Sequence, residues 1–444
     1  MKALEKDAIK KYVPEGLLSF YHYLLAVGGA LLYGFPSRKM IVIGVTGTSG
    51  KSTTITILAH LLDHAGFRSG FVGTTGFKIG SDFRLNDRKM TMLGRFQTQR
   101  ILRKMFHAGC THVIVETTSQ GIVQHRHRGI HYDTLLFTNL YPEHIEAHGS
   151  FENYKNAKLE LFRYLMRWKP KTLHGVRLPR TIVANTDNEH AKDVLAFPAD
   201  RRVSFGFEEP HLDQIEHLGV SHKELLRDGG RFTMGGLEFT SPLLGDHNIA
   251  NVVAAVAVGY TLGLSWEVMR EGVRTLPGIP GRLEYIREGQ SFDVVVDYAF
   301  EPKAMTSLYE TLLPHLKGRL IHVFGATGGG RDVSRRSILG EMAGKRASVV
   351  VVTNEDPYDD DPYEIMEAVA KGITDVGKKR DQDFFMILDR RQAIAKALSL
   401  ARAGDLVLIT GKGSEQAIAG PKGRLLSWDD RRVARDELKK LIHA

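Results

Sequence analysis

The sequence predicts an α/β fold: a central domain on a doubly wound, mainly parallel sheet, then a C-terminal Rossmann-like α/β domain. Three observations carry this. From Met40 to about Leu276, short β-branched apolar runs alternate with helical apolar spacing, as in strands covered on both faces by helices. The run Leu276-Pro-Gly-Ile-Pro-Gly281 interrupts the alternation with turn-forming residues. A second alternation follows, with its own glycine-rich turn, Gly325-Ala-Thr-Gly-Gly-Gly330. The expected segments are an apolar helical N-terminal stretch, 1–38, a central domain, 39–277, and a C-terminal domain, 278–444.

In chain order, Gly16 to Pro36 comes first and holds no Lys, Arg, Asp or Glu. Its length is about that of a membrane span. A span would end almost at Met40, where the first core strand begins, so it is disfavoured. Leu17, Tyr21, Leu24, Gly28, Leu31 and Phe35 form one helical stripe. The stripe is expected to dock on the protein's own body, with a membrane-surface helix as the alternative.

Met40-Ile-Val-Ile43 reads as a buried strand. The turn Gly44-Val-Thr-Gly47-Thr48-Ser49-Gly50-Lys51-Ser52 follows, then Thr53 and a helix carrying Ile57, Leu58, Leu61 and Leu62. Strand, glycine-rich turn, Lys-Ser and helix make a P-loop. Turn N–H groups and the helix N-terminus cradle phosphate, Lys51 reaches the outer phosphates and Ser52 ligates Mg²⁺. Further strands are expected at Ser69–Val72, Thr111–Glu116, Thr134–Thr138 and Thr181–Asn185, with helices at Arg95–Ala108 and Phe151–Arg167. Val203 to Leu244 is strand- and turn-rich, and Gly245-Asp-His-Asn248-Ile-Ala-Asn251 opens a helix. In the C-terminal domain, strands are expected at Val294–Asp297, Leu320–Phe324, Ser348–Thr353 and Leu406–Thr410.

Composition narrows the function classes. The formal net charge of +9 over 444 residues suits an anionic small substrate. No Lys/Arg stripe interleaved with aromatics marks a nucleic-acid binder. The single cysteine, Cys110, excludes an internal disulfide and a cysteine zinc site, and fits a reducing cytoplasm. Glu116 closes an apolar strand, where a carboxylate for Mg²⁺ belongs, although an exposed strand-end acid reads equally well. His144 and His148, with Glu143 and Glu146, are close enough in sequence for metal binding, against the commoner structural role of single histidines. On its helix alone, Lys158 reads as a solvated lysine.

Together these motifs resemble the Mur ligases, ATP-dependent amide-bond ligases of peptidoglycan synthesis. The branch most similar adds the third residue to UDP-N-acetylmuramoyl-dipeptide. The resemblance rests on the P-loop; on Glu116-Thr-Thr118-Ser119…Gln124-His125-Arg126; on Thr138-Asn-Leu…His144…His148-Gly149; and on Lys158, where the family carries a carbamylated lysine. It continues through Gly245…His247-Asn248…Asn251, Pro280-Gly-Arg282-Leu-Glu284, Asp297-Tyr-Ala299 and Gly411-Lys-Gly413-Ser-Glu415. It implies ATP and two Mg²⁺ sites, the first held by Ser52 and Glu116, the second by His144 and a carbamate on Lys158. Lys51 and Arg282 would contact phosphates. Asn248, Asn251 and Asp297 would meet the nucleoside. Thr91, Thr118 and Arg126 would meet a muramoyl-peptide acceptor, while Arg336, Asp356, Tyr358 and Glu415 would lie on the amino-acid side. An acyl phosphate intermediate is implied.

Three departures qualify the resemblance. The family's N-terminal UDP-binding domain has no counterpart ahead of the P-loop, so uridine nucleotides are expected to bind poorly. Glu355-Asp356-Pro357-Tyr358 stands where diaminopimelate enzymes have Asp-Asn-Pro-Arg, and the acidic run Asp359–Asp361 after it favours an amine-bearing side chain such as lysine. Phe300-Glu301 replaces a usual His-Thr. The expected function is an ADP-forming ligase joining an amino acid to a muramoyl-peptide-like carboxylate. The alternatives are a ligase for a lipid-linked or other non-UDP acceptor, and a nucleotide-binding module of a larger complex. Folylpolyglutamate synthetase shares the general plan, but the Glu116–Arg126 run favours the Mur side.

Overall fold

The computed structural model describes residues 15–143, 145–208, 214–330 and 333–443. The chain divides into two compact units between Pro277 and Gly278.

The first unit is built on one eleven-stranded sheet. From edge to edge its strands are Leu237–Ser241, Gly229–Met234, Glu216–Leu226, Arg201–Gly206, Thr181–Asn185, Thr134–Phe137, Ile41–Thr46, His112–Glu116, Ser69–Val72, Gly76–Ile79 and Asp82–Leu85. The strands from Glu216–Leu226 to Ser69–Val72 run parallel, and antiparallel hairpins extend both edges. Val42, Ile43 and Val45 are fully buried, as a continuous apolar run requires when both faces are covered. Val45 lies opposite Glu116 and Thr46 opposite Phe137. The carboxyl ends of three adjacent strands are therefore level, and the turns that follow them converge. The helix Asp246–Thr261 is buried on nearly every side from Asn248 to Gly259 and packs against the P-loop helix, Lys51–His64. The expected strands appear within a residue or so of their bounds, except the first, expected at Met40–Ile43, which runs Ile41–Thr46 and so takes in the start of the glycine-rich turn. The hairpin Gly76–Ile79/Asp82–Leu85 was not expected, because each strand has only four residues, too few to show a period, and Asp82–Leu85 faces solvent. Cys110 is buried in the turn after Arg95–His107, and burial pushes its thiol pKa up.

The N-terminal helix, Glu15–Leu32, packs on this unit, but not through the expected stripe. Ala26, Gly29 and Ala30 face the protein, with Gly29 against the backbone of Arg95 and Phe96 and Ala30 beside Gly129. Leu17, Tyr21, Leu24 and Leu31 point away, Leu31 being 68% exposed. Small side chains let two backbones approach closely, and here that outweighs burial of the larger ones. Among the described residues no helix is long and apolar enough to cross a membrane.

The second unit carries a six-stranded sheet in the order Glu284–Tyr285, Asp293–Val296, Leu406–Ile409, Leu320–Phe324, Val349–Thr353 and Phe384–Ile387. All neighbours are parallel except the first pair. Arg390 donates two hydrogen bonds to Asp430, Nε to Oδ1 at 2.8 Å and Nη2 to Oδ2 at 2.7 Å. The same guanidinium holds the carbonyls of Asn354 and Thr410, at the starts of the loops Glu355–Tyr358 and Gly411–Glu415.

Candidate active site

The P-loop leaves its strand at Thr46 and enters its helix at Lys51. Gly47 has φ 152° and Gly50 has φ 80°. A Cβ at Gly47 would overlap Thr138 Oγ1, and one at Gly50 would overlap Asn251 Oδ1. Both positions thus need glycine for conformation and for space. The neighbouring strand's loop braces the turn. Ser49 N donates to Asn139 Oδ1 at 2.9 Å, Thr48 N to the Asn139 carbonyl at 2.9 Å, and Thr138 Oγ1 to the Ser49 carbonyl at 2.9 Å. Lys51 Nζ donates to the carbonyls of Gly47 and Thr48 at 3.0 and 2.7 Å. We expect Gly47→Ala to weaken ATP binding at least about tenfold, because Thr138 cannot withdraw without releasing Ser49. Calorimetric titration with an ATP analogue checks this.

Lys158 is not the solvated lysine of the bare sequence reading. It is 2% exposed, its Nζ donates to the Gly47 carbonyl at 2.7 Å, and it lies 4.6 Å from the Tyr154 ring centre. Tyr154 OH in turn donates to Thr48 Oγ1 at 3.0 Å.

Glu116 is 1% exposed at its strand end. Ser52 Oγ donates to its two oxygens at 2.9 and 3.0 Å, Thr74 N to Oε2 at 2.7 Å, and Thr74 Oγ1 to Oε1 at 3.2 Å. Thr74 Oγ1 also meets Thr91 Oγ1 at 2.7 Å, which joins the expected acceptor side to the expected metal side. Sequence reasoning missed Thr74. Its signal was a Gly73-Thr-Thr75 turn directly after an apolar strand.

Thr118 caps the short helix Ser119–Val123, accepting from Gly121 N at 3.1 Å. Arg126 donates to the Met92 carbonyl beside Thr91, and Arg95 donates to the Gln124 carbonyl. Burial lowers the pKa of both guanidinium groups, and Arg126 lowers that of Arg95 further. Arg95 was not anticipated. His148 Nε2 is 3.1 Å from Ser119 Oγ. His144 lies outside the described residues. Asn251 Nδ2 donates to Asn248 Oδ1 at 3.2 Å, and Asn248 Nδ2 holds the Leu244 carbonyl. This pair supports the P-loop at Gly50.

In the second unit, Asp297 accepts from Leu283 N at 2.7 Å and Ala299 N at 2.6 Å, so its carboxylate shapes its own loop. Arg282 stacks on Tyr298 at 4.1 Å. Lys412 is enclosed by Asp356, at 2.9 and 3.0 Å, and Glu415. Burial alone would lower the Lys412 pKa; Glu415, Asp356 and Glu355 outweigh it and raise it. Burial and then Asp356 raise the pKa of Glu355. The acidic run after Tyr358 has structural partners. Asp359 accepts from Lys422 N at 2.7 Å, Asp360 accepts from Gly329 N at 2.9 Å and lies 3.6 Å from Arg336, and Asp361 caps the helix Pro362–Asp375. That corrects the expectation that the run selects an amine, since these carboxylates hold turns. Arg336 also holds the Thr327 carbonyl.

Residues 45–259 match the Mur ligase middle domain, and residues 281–413 match the Mur ligase, glutamate ligase domain. The chain belongs to the Mur ligase family. It is 34% identical over 431 residues to a UDP-N-acetylmuramyl-tripeptide synthetase of Roseiflexus sp. (strain RS-1), covering 94% of this chain and 82% of that relative. Among solved structures, a UDP-N-acetylmuramoyl-L-alanyl-D-glutamate–2,6-diaminopimelate ligase matches with TM-score 0.59 at 29% identity, over 91% of this chain and 80% of that one. A folylpolyglutamate synthase of Mycobacterium tuberculosis shares the fold at TM-score 0.67 and 17% identity, over 95% of each chain. As a Mur ligase, the chain is an ATP-dependent, ADP-forming amide ligase that uses Mg²⁺. The geometry fits the metal. Glu116 is a buried carboxylate whose described donors are all neutral, with a P-loop hydroxyl at 2.9 Å. That is an oxygen set suited to a hard divalent cation. Among the described residues no group of three His, Cys, Asp or Glu side chains is placed to hold a metal ion, so phosphate and water oxygens would complete the shell.

Proposed function

We propose that this Mur ligase joins an amino acid to the carboxylate of a muramoyl-peptide acceptor, in the cytoplasm, through an acyl phosphate. The observation that carries the reading is the hydroxyl bridge Ser52–Glu116–Thr74–Thr91, which links the phosphate loop to the acceptor side. ATP's outer phosphates lie on the loop amides and Lys51. The acceptor carboxylate oxygen attacks the γ-phosphorus and ADP leaves. The amino-acid amine then attacks the acyl carbon, phosphate departs with the C–O bond's electrons, and the amine loses its proton. Lys51 and the loop amides oppose the charge that builds on the transferring group. Mg²⁺, held by Ser52 and Glu116, would supply further neutralisation of that charge. Thr91, Thr118 and Arg126 would hold the acceptor. A carbamate on buried Lys158, with His144, would supply anionic and imidazole ligands for a second Mg²⁺.

The incoming amino acid is read as lysine rather than diaminopimelate. Tyr358 replaces the guanidinium fork that would clasp a distal carboxylate, a contact worth about 1.5–3 kcal/mol. Asp356 and Glu415 gather around Lys412 where the two loops meet, and an acid-lined loop pair suits an incoming ammonium. The test is phosphate release with muramoyl-peptide acceptors crossed with amino acids. Turnover should require both acceptor and amine, lysine should exceed diaminopimelate, and Tyr358→Arg should raise kcat/KM for diaminopimelate about tenfold or more. ATP turnover independent of acceptor overturns the ligase reading, and wild-type preference for diaminopimelate overturns the choice of amino acid.

A further inference from the structure

We propose that the N-terminal helix, with the basic edge around it, is a docking surface for an anionic lipid bilayer. The helix Glu15–Leu32 uses its small face on the protein and turns its large residues outward. Leu17, Phe20, Tyr21, Leu24, Leu31 and Leu32 are all exposed, Leu31 and Leu32 by 68% and 66%. At 3.6 residues per turn they span an arc of roughly 120°, wide enough for a helix lying in the plane of a membrane interface.

The surroundings set the kind of partner. Residues 16–62, 88–115 and 117–132 contain no Asp or Glu. These are the segments that meet at the helix. Arg103 Nη1 donates to the Tyr33 carbonyl at 3.2 Å, just past the helix end. Phe96 touches Gly29, and helical spacing puts exposed Arg100 between Phe96 and Arg103. Arg38 stacks on Phe35 and Lys39 on Phe106, both cations remaining exposed. The helix starts at Glu15 and Glu160 pairs with Arg128 close by, but the arc is edged mainly by cations, and such a surface complements a bilayer of anionic lipid. A second copy of this chain would bring the same cations against one another, so a symmetric dimer through this face is disfavoured.

The surface continues into the acceptor side. Ser19 Oγ lies 2.7 Å from His125 Nε2, next to Arg126. Where the acceptor assignment of Arg126 holds, the acceptor would meet the enzyme at the lipid surface. The docking inference itself does not depend on that assignment.

The test is co-sedimentation of the full chain with phosphatidylcholine vesicles containing phosphatidylglycerol or none. Sedimentation is expected only with the anionic vesicles. It should fall at least about tenfold in about 0.5 M NaCl, where the screening length is a few ångströms. The triple variant Leu17→Glu/Leu24→Glu/Leu31→Glu and the pair Arg100→Glu/Arg103→Glu should each lose binding at least about tenfold while binding ATP like the parent. The salt and lipid dependences use the unaltered chain, so a variant that fails to fold leaves the inference open to refutation. Equal recovery with both vesicle types, no recovery with either, or a dimer by light scattering that the triple variant dissolves would overturn it.

Discussion

Lys158→Ala should lose ligase turnover by at least about 10²-fold, the scale on which one preorganised charge registers in such a site. Two roles for this lysine predict different rescues. If its ammonium only braces the P-loop through the Gly47 carbonyl, 2.7 Å away, Lys158→Arg should keep much of the activity. If it carries a carbamate, Arg fails, because a guanidinium does not take up CO₂. Acetate or formate should then partly restore Lys158→Ala by filling the vacated space with a carboxylate. We expect the second pattern. An active Lys158→Arg enzyme, or an Ala variant deaf to added carboxylate, would rule out the carbamate. Mass spectrometry is uninformative here, since carbamates are lost on acidification, whereas the rescue is read in working enzyme.

The second large effect is on stability. Arg390 and Asp430 are 2% and 0% exposed and are joined by two parallel hydrogen bonds. Trp428 Nε1 donates to the same Asp430 oxygen at 2.8 Å. Burial by itself would depress the Arg390 pKa, but Asp430 outweighs it and the guanidinium pKa is raised. Removing either partner strands a buried charge, so Arg390→Met or Asp430→Asn should destabilise the C-terminal unit by about 3–5 kcal/mol. Removing both charges should recover part of that loss. Urea unfolding followed by fluorescence in a Trp168→Phe/Trp266→Phe background, which leaves Trp428 as the single tryptophan, measures it. The cost should reach function too. Arg390 fixes the carbonyls of Asn354 and Thr410, which precede the Glu355–Tyr358 and Gly411–Glu415 loops. A folded Arg390 variant should therefore show a raised KM for the amino acid before one for ATP. Loss of less than about 1 kcal/mol would show that water reaches the pair.

The parallel sheet was legible because its strands are short, β-branched and buried on both faces. The P-loop was legible because the glycine spacing and the Lys-Ser pair answer to one geometry. Glu116 was placed by the rule that strand ends line the crevice, and at that strand end it accepts from Ser52 and Thr74. Other features escaped because sequence shows residue type but not partner. The N-terminal stripe was visible, but both faces of that helix lack charge, so nothing in its period said which face would dock. Ala26, Gly29 and Ala30 decided it by size. The aspartates from Asp359 to Asp361 read as a site favouring an amine-bearing side chain and instead hold turns and a helix start, a use of Asp that depends on backbone N–H groups no pattern displays. Arg95 was invisible because its significance lies in Arg126, far along the chain and adjacent only once folded.

The buried Cys110 leaves the chain chemically silent toward thiol reagents. The residue is 3% exposed, and burial disfavours the thiolate that would attack an alkylating reagent. A cysteine introduced on an exposed position would then be the sole reactive thiol in a protein that otherwise needs no alteration. Placed at Leu24, on the outward arc of the N-terminal helix, it would carry one fluorophore whose colour reports the polarity of whatever that helix meets. Placed at Tyr363, exposed at the first turn of its helix, it would report on the C-terminal unit alone.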